Sequence, residues 1–214
     1  MPRIIADHSF ETAARARLGP AARVCGVDEA GRGPWAGPVH AGAVILDPAA
    51  IPPGLADSKA LSAKRREALS AALLGCAVCG VGVASVAEID ALGLGPAADL
   101  AMTRAIAALG VAPDWAIVDG RRLPRGLVPP GEWLVKGDAR CLSVAAASIL
   151  AKVARDAEMD RLALDHPGYG WETNRGYGTA GHLGALKRLG VTPHHRRSFR
   201  PIHNILLEES RTTS

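Results

Sequence analysis

The chain has 214 residues, 48% of them hydrophobic, enough to bury one sizeable core and to favour a single domain or one domain with a small appendage. Its 25 Lys and Arg against 21 Asp and Glu leave a formal charge of +4, a mild bias toward an anionic partner that decides nothing alone. No run of about 18 apolar residues occurs and Met1 to Pro20 lacks an apolar signal core, so neither a membrane span nor secretion is indicated, and a cytoplasmic protein is the default expectation.

Residues 8 to 19 read as a short N-terminal helix, and Arg23 to Val27 is a β-rich run leading to the polar pair Asp28-Glu29. After a Gly- and Pro-rich loop, Val39 to Leu46 reads as a second strand and Cys76 to Ala84 as a third, an antiparallel meander. Between them, Ser62 to Leu74 reads as a helix capped by Ser62, with Lys64, Arg65, Arg66 and Glu67 on a solvated face. Ser85-Val-Ala-Glu88 matches a capping box, and a helix over Pro96 to Leu109 follows Gly93-Leu-Gly95. Trp115 to Val118 is a short apolar strand ending at Asp119-Gly120. Past the Pro- and Arg-rich loop Arg121 to Gly131, Trp133 to Lys136 reads as another strand, with Asp138 just beyond.

Ser143 to about Asp165 is the longest expected helix, with Val144, Ala147, Leu150, Ala151 and Ala154 as its buried stripe. Asn174 to Thr179 is a glycine-rich loop. A helix near Ala180 to Leu189, the basic segment His194-His-Arg-Arg-Ser-Phe-Arg200 and a short helix after Pro201 close the chain. The pattern is an α/β layer fold with a mixed sheet, residues beyond about 165 forming a small helical appendage. Cys25, Cys76, Cys79 and Cys141 sit among Val, Ala and Leu, as reduced thiols do. Cys76-Ala-Val-Cys79 has metal-like spacing, but no second CxxC or His pair completes a zinc site.

The segment Val24-Cys-Gly-Val-Asp-Glu-Ala-Gly-Arg-Gly-Pro-Trp-Ala-Gly-Pro38 ends an apolar strand on two adjacent carboxylates. Carboxylates crowded and partly buried resist ionising unless a cation neutralises them, and hard oxygen donors select Mg²⁺ or Mn²⁺. Asp119 and Asp138 repeat the strand-end pattern. Taken singly each is a turn residue, but on neighbouring strands the four would converge as a two-metal phosphodiester hydrolase requires. The turn at Ala30-Gly31 is expected to bring both members of the first pair to the metals. Gly31-Arg-Gly-Pro-Trp-Ala36 also fits a loose dinucleotide fingerprint, but Pro34, Pro38 and the following strand deny it the helix that motif needs.

Taken in order, GVDEAGRGPWAGPV, Asp57-Ser-Lys59, Val118-Asp-Gly120, Lys136-Gly-Asp138, SVAAASILAKVARD, Asn174-Arg-Gly-Tyr-Gly-Thr179 and His195-Arg-Arg-Ser-Phe-Arg-Pro201 resemble the bacterial ribonuclease HII (type 2 ribonuclease H) family over residues 23 to 203. The resemblance implies a ribonuclease H-like mixed five-stranded sheet flanked by helices. It divides the chain into an N-terminal extension (1–22), a catalytic domain (23–165) and a C-terminal helical substrate-binding appendage (166–214). It makes Asp28, Glu29, Asp119 and Asp138 the ligands of two Mg²⁺ or Mn²⁺ ions, and Gly31, Arg32 and Gly33 the loop that reads a ribose 2′-hydroxyl with Tyr177. Lys59 resembles a phosphate contact. Ser148 and Lys152, one helical turn apart, would both face a nucleic-acid backbone. Arg175 stands where the family more often has Lys, which keeps the charge and changes its geometry.

Asp156 competes with Asp138 for the fourth carboxylate, but local pairing with Arg155 and Lys152 explains it. The implied substrates are the RNA strand of RNA–DNA hybrids and single ribonucleotides in duplex DNA. Cutting on the 5′ side would leave a 5′-phosphate and a 3′-hydroxyl, by a monomer with no membrane partner. His194, His195 and His203 invite an imidazole mechanism that the carboxylate set outweighs, and Arg196, Arg197 and Arg200 read as phosphate contacts or solvated surface. The rivals are a same-fold nuclease such as a junction resolvase, which would lack the ribose-reading residues, and a non-catalytic nucleic-acid-binding module, which would leave the carboxylates without purpose.

Overall fold

The computed structural model describes residues 6–212, so the first five residues of the expected N-terminal extension and the last two of the appendage lie outside the described residues. The chain runs α1 (Ser9–Leu18), β1 (Val24–Ala30), β2 (Val39–Ile45), α2 (Ala63–Cys76), β3 (Val78–Ala84), α3 (Val86–Leu92) and α4 (Leu94–Ala107). It continues through β4 (Trp115–Asp119), β5 (Gly131–Leu134), α5 (Leu142–Asp165), α6 (Trp171–Asn174), α7 (Ala180–Leu189) and α8 (Arg200–Thr212). The five strands form one mixed sheet in the order β3-β2-β1-β4-β5. The first three make the antiparallel meander, and β4 and β5 extend it in parallel with β1. No helix among the described residues is long and apolar enough to cross a membrane.

The near-continuous apolar composition of β1 and β2 suits strands covered on both faces. On one face α4 lays Ala97, Ala101, Met102 and Ala105 against Cys25, Val27, Ala41, Ala43 and Val118. On the other, Ala146, Ala147 and Leu150 of α5, with Leu69 and Leu73 of α2, cover Val44. Glycines let the helices approach closely. A Cβ on Gly26 would lie 2.1 Å from the Ser143 carbonyl carbon, and one on Gly42 2.3 Å from the Ala147 oxygen, so α5 rests backbone to backbone on β1 and β2.

Local signals decide the ends of the elements. Ser62 caps α2, and Ser85 and Glu88 form both hydrogen bonds of the capping box on α3. Several details differ from expectation. Cys76 closes α2 instead of opening β3. β5 starts at Gly131 and stops at Leu134, because Lys136 takes the left-handed conformation (φ 56°), which ends extension. In α5, Ala154 is only half-buried, and the inward position is taken by Arg155.

The N-terminal segment is tied to the start of α5. Cys141, the residue preceding that helix, supplies no side-chain cap. Glu11 of α1 supplies one instead: its buried carboxylate accepts from the Ser143 amide at 2.7 Å and from the Cys141 thiol at 3.2 Å. Burial, reinforced by Glu11, pushes that thiol up to about 12, so it stays a donor. The Leu142 amide adds a bond to the Asp7 carbonyl at 3.0 Å.

Gly26→Ala should cost roughly 3 kcal/mol, the upper range for overpacking, because the added methyl meets helix backbone that cannot rotate away. Gly75→Ala, in α2 with nothing within 4 Å, should instead stabilise by a few tenths to about 1 kcal/mol. Urea unfolding of both variants checks the pair, and equal midpoints would refute the close-seating argument.

Candidate active site

Because β1, β4 and β5 run parallel, their carboxyl ends share one rim of the sheet, where open α/β sheets bind ligands. β1 brings Asp28 and Glu29 to that rim, and Asp119 is the last residue of β4. Asp138 follows β5 in a 3-10 turn, Gly137–Ala139, rather than at the strand end itself. The turn is tied back to the rim by the Gly137 amide, which donates to Asp119 Oδ1 at 2.7 Å.

Asp28 and Glu29 stay in the ladder opposite Gly42 and Ala41, so the pleat sends them to opposite faces. Val27 pairs with Val118, which puts Asp119 on the same face as Asp28. The expected bend therefore comes too late to turn the adjacent pair to one side: β1 is paired through Ala30 and breaks only at Gly31, with φ 99°. Among the described residues, no three carboxylates, imidazoles or thiols are already spaced to grip one ion.

The four carboxylates are nonetheless within electrostatic reach of one another. Asp28 is 4% exposed, and its carboxyl is held well above the usual range by burial first and then by the charges of Glu29, Asp119 and Asp138. The Glu29 amide, donating to Asp28 Oδ1 at 2.7 Å, pulls weakly the other way. Burial also raises Glu29, against the opposing pull of Arg32 at 3.4 Å, and raises Asp119 against its bond from Gly137. Lys59 Nζ lies 3.2 Å from Asp138 Oδ2. Burial lowers its ammonium, but Asp138, Asp57 and Asp28 outweigh burial and leave it raised.

Hard oxygen donors that resist ionising together are what a divalent cation relieves, so the donor set fits Mg²⁺ or Mn²⁺ in its chemistry. Beside Glu29 and Asp119 opens a polar crevice of about 70 Å³, lined also by Arg32, Arg121 and Arg122. Arg122 is fixed there by the buried Asp99 through bonds of 2.9 and 3.0 Å. A larger cleft, about 1000 Å³ between Leu18, Ile106, Val111 and Val128, holds none of the candidate residues.

The remaining candidates divide into two groups. Tyr177, 47% exposed, lies against Gly33, where a Cβ would come 3.3 Å from its ring. The Trp35 and Ala36 amides donate to the Gly176 carbonyl at 2.8 and 3.3 Å, so the loops bearing Gly33 and Tyr177 are joined. Ser148 departs from the expectation of an outward face: it is buried, donates to the Ala145 carbonyl and accepts from the Ser58 amide at 3.3 Å, under the turn that carries Lys59. Lys152 pairs with Asp156 at 2.7 Å, and Asp156 also has Arg66 at 3.8 Å and Arg175 at 3.9 Å. Arg175, left-handed at φ 52°, is tied to Asp160 and to the Asp156 carbonyl.

Two arginines escape the sequence reading. Arg196, expected at the surface, is fully buried and donates to the carbonyls of Gly31 (2.6 Å), Gly37 (2.9 Å), Arg32 (3.0 Å) and Pro38 (3.3 Å). Arg155 is 1% exposed and donates to Arg175 (3.0 Å), Ala36 and Pro38 (both 3.3 Å). Neither forms a salt bridge among the described residues. Burial, with Arg155 adding to it, pushes the Arg196 guanidinium down to about 9. The one sequence signal was spacing: Arg155 is four residues from both Ala151 and Met159, which are buried.

His182 and His195 also belong to the interior. His195 Nδ1 accepts from the Thr192 amide at 3.0 Å, which puts its proton on Nε2, 3.0 Å from His182 Nε2. That second nitrogen also accepts from Trp171 Nε1 at 3.2 Å, leaving His182 Nδ1 to donate to the Tyr177 carbonyl at 2.9 Å. The chain of bonds closes only with both rings neutral. Tyr169 and Trp171 pack around it in the cluster that joins the end of α5 to α7 and α8.

A mixed sheet of this order, flanked by helices and edged with carboxylates, has the ribonuclease H-like fold and is the frame of a phosphodiester hydrolase. The ribonuclease H2 structure from Pyrococcus horikoshii OT3 superimposes with a TM-score of 0.75 at 27% identity, covering 88% of this chain and 99% of that one. Residues 25–202 match the family model described as Ribonuclease HII. Curated proteins named Ribonuclease HII are 57% identical in Roseobacter denitrificans, over 88% of this chain and 96% of that protein, and 58% identical in Paracoccus denitrificans, over 97% and 98%. The chain belongs to the ribonuclease HII family. It is an endoribonuclease that hydrolyses the RNA of RNA–DNA hybrids.

The buried imidazoles give the fold an acid limb. Burial lowers His182, and burial together with His182 lowers His195 to about 3, both below the ordinary 6.5. The unfolded chain therefore takes up protons first. This contribution to stability is complete above about pH 6.5 and is lost as pH falls toward 3, by up to about tenfold in the folding constant per pH unit per histidine. Urea unfolding at pH 7, 5 and 4 should show the loss, and His195→Gln should flatten it.

Proposed function

We propose that this endoribonuclease also nicks duplex DNA on the 5′ side of a single embedded ribonucleotide, with divalent Mg²⁺ or Mn²⁺ held by Asp28, Glu29, Asp119 and Asp138. The observation that carries the metal reading is the Asp28 carboxyl, buried and held above its usual range partly by three other acids. Bound there, two such ions would supply a nucleophilic water and neutralise the charge that develops on the scissile phosphate, giving 5′-phosphate and 3′-hydroxyl ends.

The chain's own residues supply position and discrimination. Lys59 and Arg32, each now paired to a site carboxylate, stand where a phosphate would compete for them. Gly31, Arg32, Gly33 and Tyr177 form one surface that would meet the sugar, where a 2′-hydroxyl separates RNA from DNA. Ser148 serves through the turn beneath Lys59, while Lys152 and Arg175 face phosphates only by giving up their bonds to Asp156 and Asp160. Imidazole catalysis is disfavoured because His195 is fully buried and committed to hydrogen bonds.

The decisive assay is a DNA duplex with one ribonucleotide, incubated with Mn²⁺ or Mg²⁺. Nicking 5′ to the ribonucleotide is expected, with none in excess chelator. Cleavage that survives the chelator would overturn the metal reading, and equal cleavage of an all-DNA duplex would favour a same-fold DNA nuclease. Tyr177→Ala should lose activity on this substrate while binding metal normally by calorimetry.

Asp138→Asn should reduce turnover by several orders of magnitude and weaken metal binding. Asp156→Asn, which removes an acid held by three cationic side chains, should keep turnover within about tenfold. The reverse ranking would move the fourth ligand to Asp156.

A further inference from the structure

Two buried cations whose hydrogen bonds go only to carbonyl oxygens are an expensive way to fill space, because a buried charge without a salt-bridge partner must recover its lost hydration from dipoles and, for Arg196, from the Phe199 ring 5.1 Å away. Arg155 and Arg196 do this at one place. Arg196 spans carbonyls at both ends of the 31–38 loop, Gly31 and Arg32 at one and Gly37 and Pro38 at the other. Arg155 takes the Ala36 and Pro38 carbonyls of the same loop, and its third bond reaches the Arg175 carbonyl, two residues before Tyr177. Gly31 is bare where Arg155 passes: a Cβ there would lie 2.1 Å from Arg155 Nε.

With the carbonyl edge held inward, the loop's other edge is left for a ligand. Among the described residues neither the Arg32 nor the Gly33 amide has a hydrogen-bond partner, whereas the Trp35, Ala36 and Gly37 amides are all bonded. Only a planar fork with several donors can span these carbonyls, since an ammonium offers its donors from a single point.

We infer that Arg155 and Arg196 are positioning residues for substrate choice, fixing the 31–33 loop and the Tyr177 loop as one unit so that free amides and ring meet the sugar together. The inference rests on the reading of these loops as the ribose-contacting surface. It also predicts that the two loops open together, which does not depend on that reading.

The test uses the full chain with Ca²⁺ in place of Mg²⁺, comparing binding of a duplex with one ribonucleotide and the same duplex in DNA alone. Arg196→Lys and Arg155→Lys keep the charge and lose the fork. Each should cut the preference for the ribonucleotide about tenfold, the loss of one charge-assisted hydrogen bond, and leave affinity for the all-DNA duplex within about twofold. A folded Lys variant with undiminished preference would overturn the proposal. If the unmutated protein shows no preference, the ribose reading fails instead, and hydrogen exchange decides the positioning claim. Amides of residues 31–38 and 175–178 should open as one unit with a shared urea dependence, and should quicken together in the Lys variants. Should those variants fail to fold, the unmutated protein alone decides by the same exchange measurement, and separate opening of the two segments would refute the coupling.

Discussion

Repulsion among four carboxylates at one edge of a sheet is the constraint that the rest of the molecule must withstand. Left to itself, that edge would relax by splaying its strands or by protonating its acids. The fold opposes splaying by putting the acids on strands that cannot drift. β1 is the central strand, bonded on both sides, and α5 sits directly on its backbone and on that of β2. The turn that carries Asp138 is fixed at one end by Asp119 and at the other by the capped start of α5. Lys59 and Arg32 then supply positive charge at the edge.

On the flank of that edge the electrostatics reverse sign. The loop leaving β1 is gathered by buried guanidiniums, and the aromatic and imidazole cluster behind Tyr177 is held neutral. The acid cluster and the basic loop meet at Gly31, two residues after Glu29. A charged rim and a braced loop are thus built from one short stretch of sequence, each held by a different part of the chain.

Much of this was legible in the sequence wherever local physics decides the outcome. The β-rich runs gave the meander, Ser62 and the Ser85–Glu88 box marked helix starts, and the acids after apolar runs pointed to the strand ends. What escaped depends on distant partners. Arg196 looks like a surface residue beside Arg197, and only the carbonyls of residues 31–38, far off in sequence, make its burial tolerable. Ser148 lies on a helix whose outer face is visible only once the 57–59 turn is placed. Lys136 ends β5 by a backbone angle that its side chain does not advertise. The roles proposed for Tyr177 and Lys59 rest on the motif resemblance, since no periodicity encodes them.

The long span closed by Arg196 sets an order of assembly on the ribosome. Gly31 emerges early, but the side chain that holds its carbonyl lies 165 residues further on, roughly ten to thirty seconds later at ~5–20 residues per second. In the interval the acids of β1, β4 and the following turn can already gather, while the loop beside them is still unbraced. If these loops choose the substrate as proposed, discrimination is acquired last, and a chain broken off before Arg196 would carry the acids of a nuclease without the means to choose its substrate.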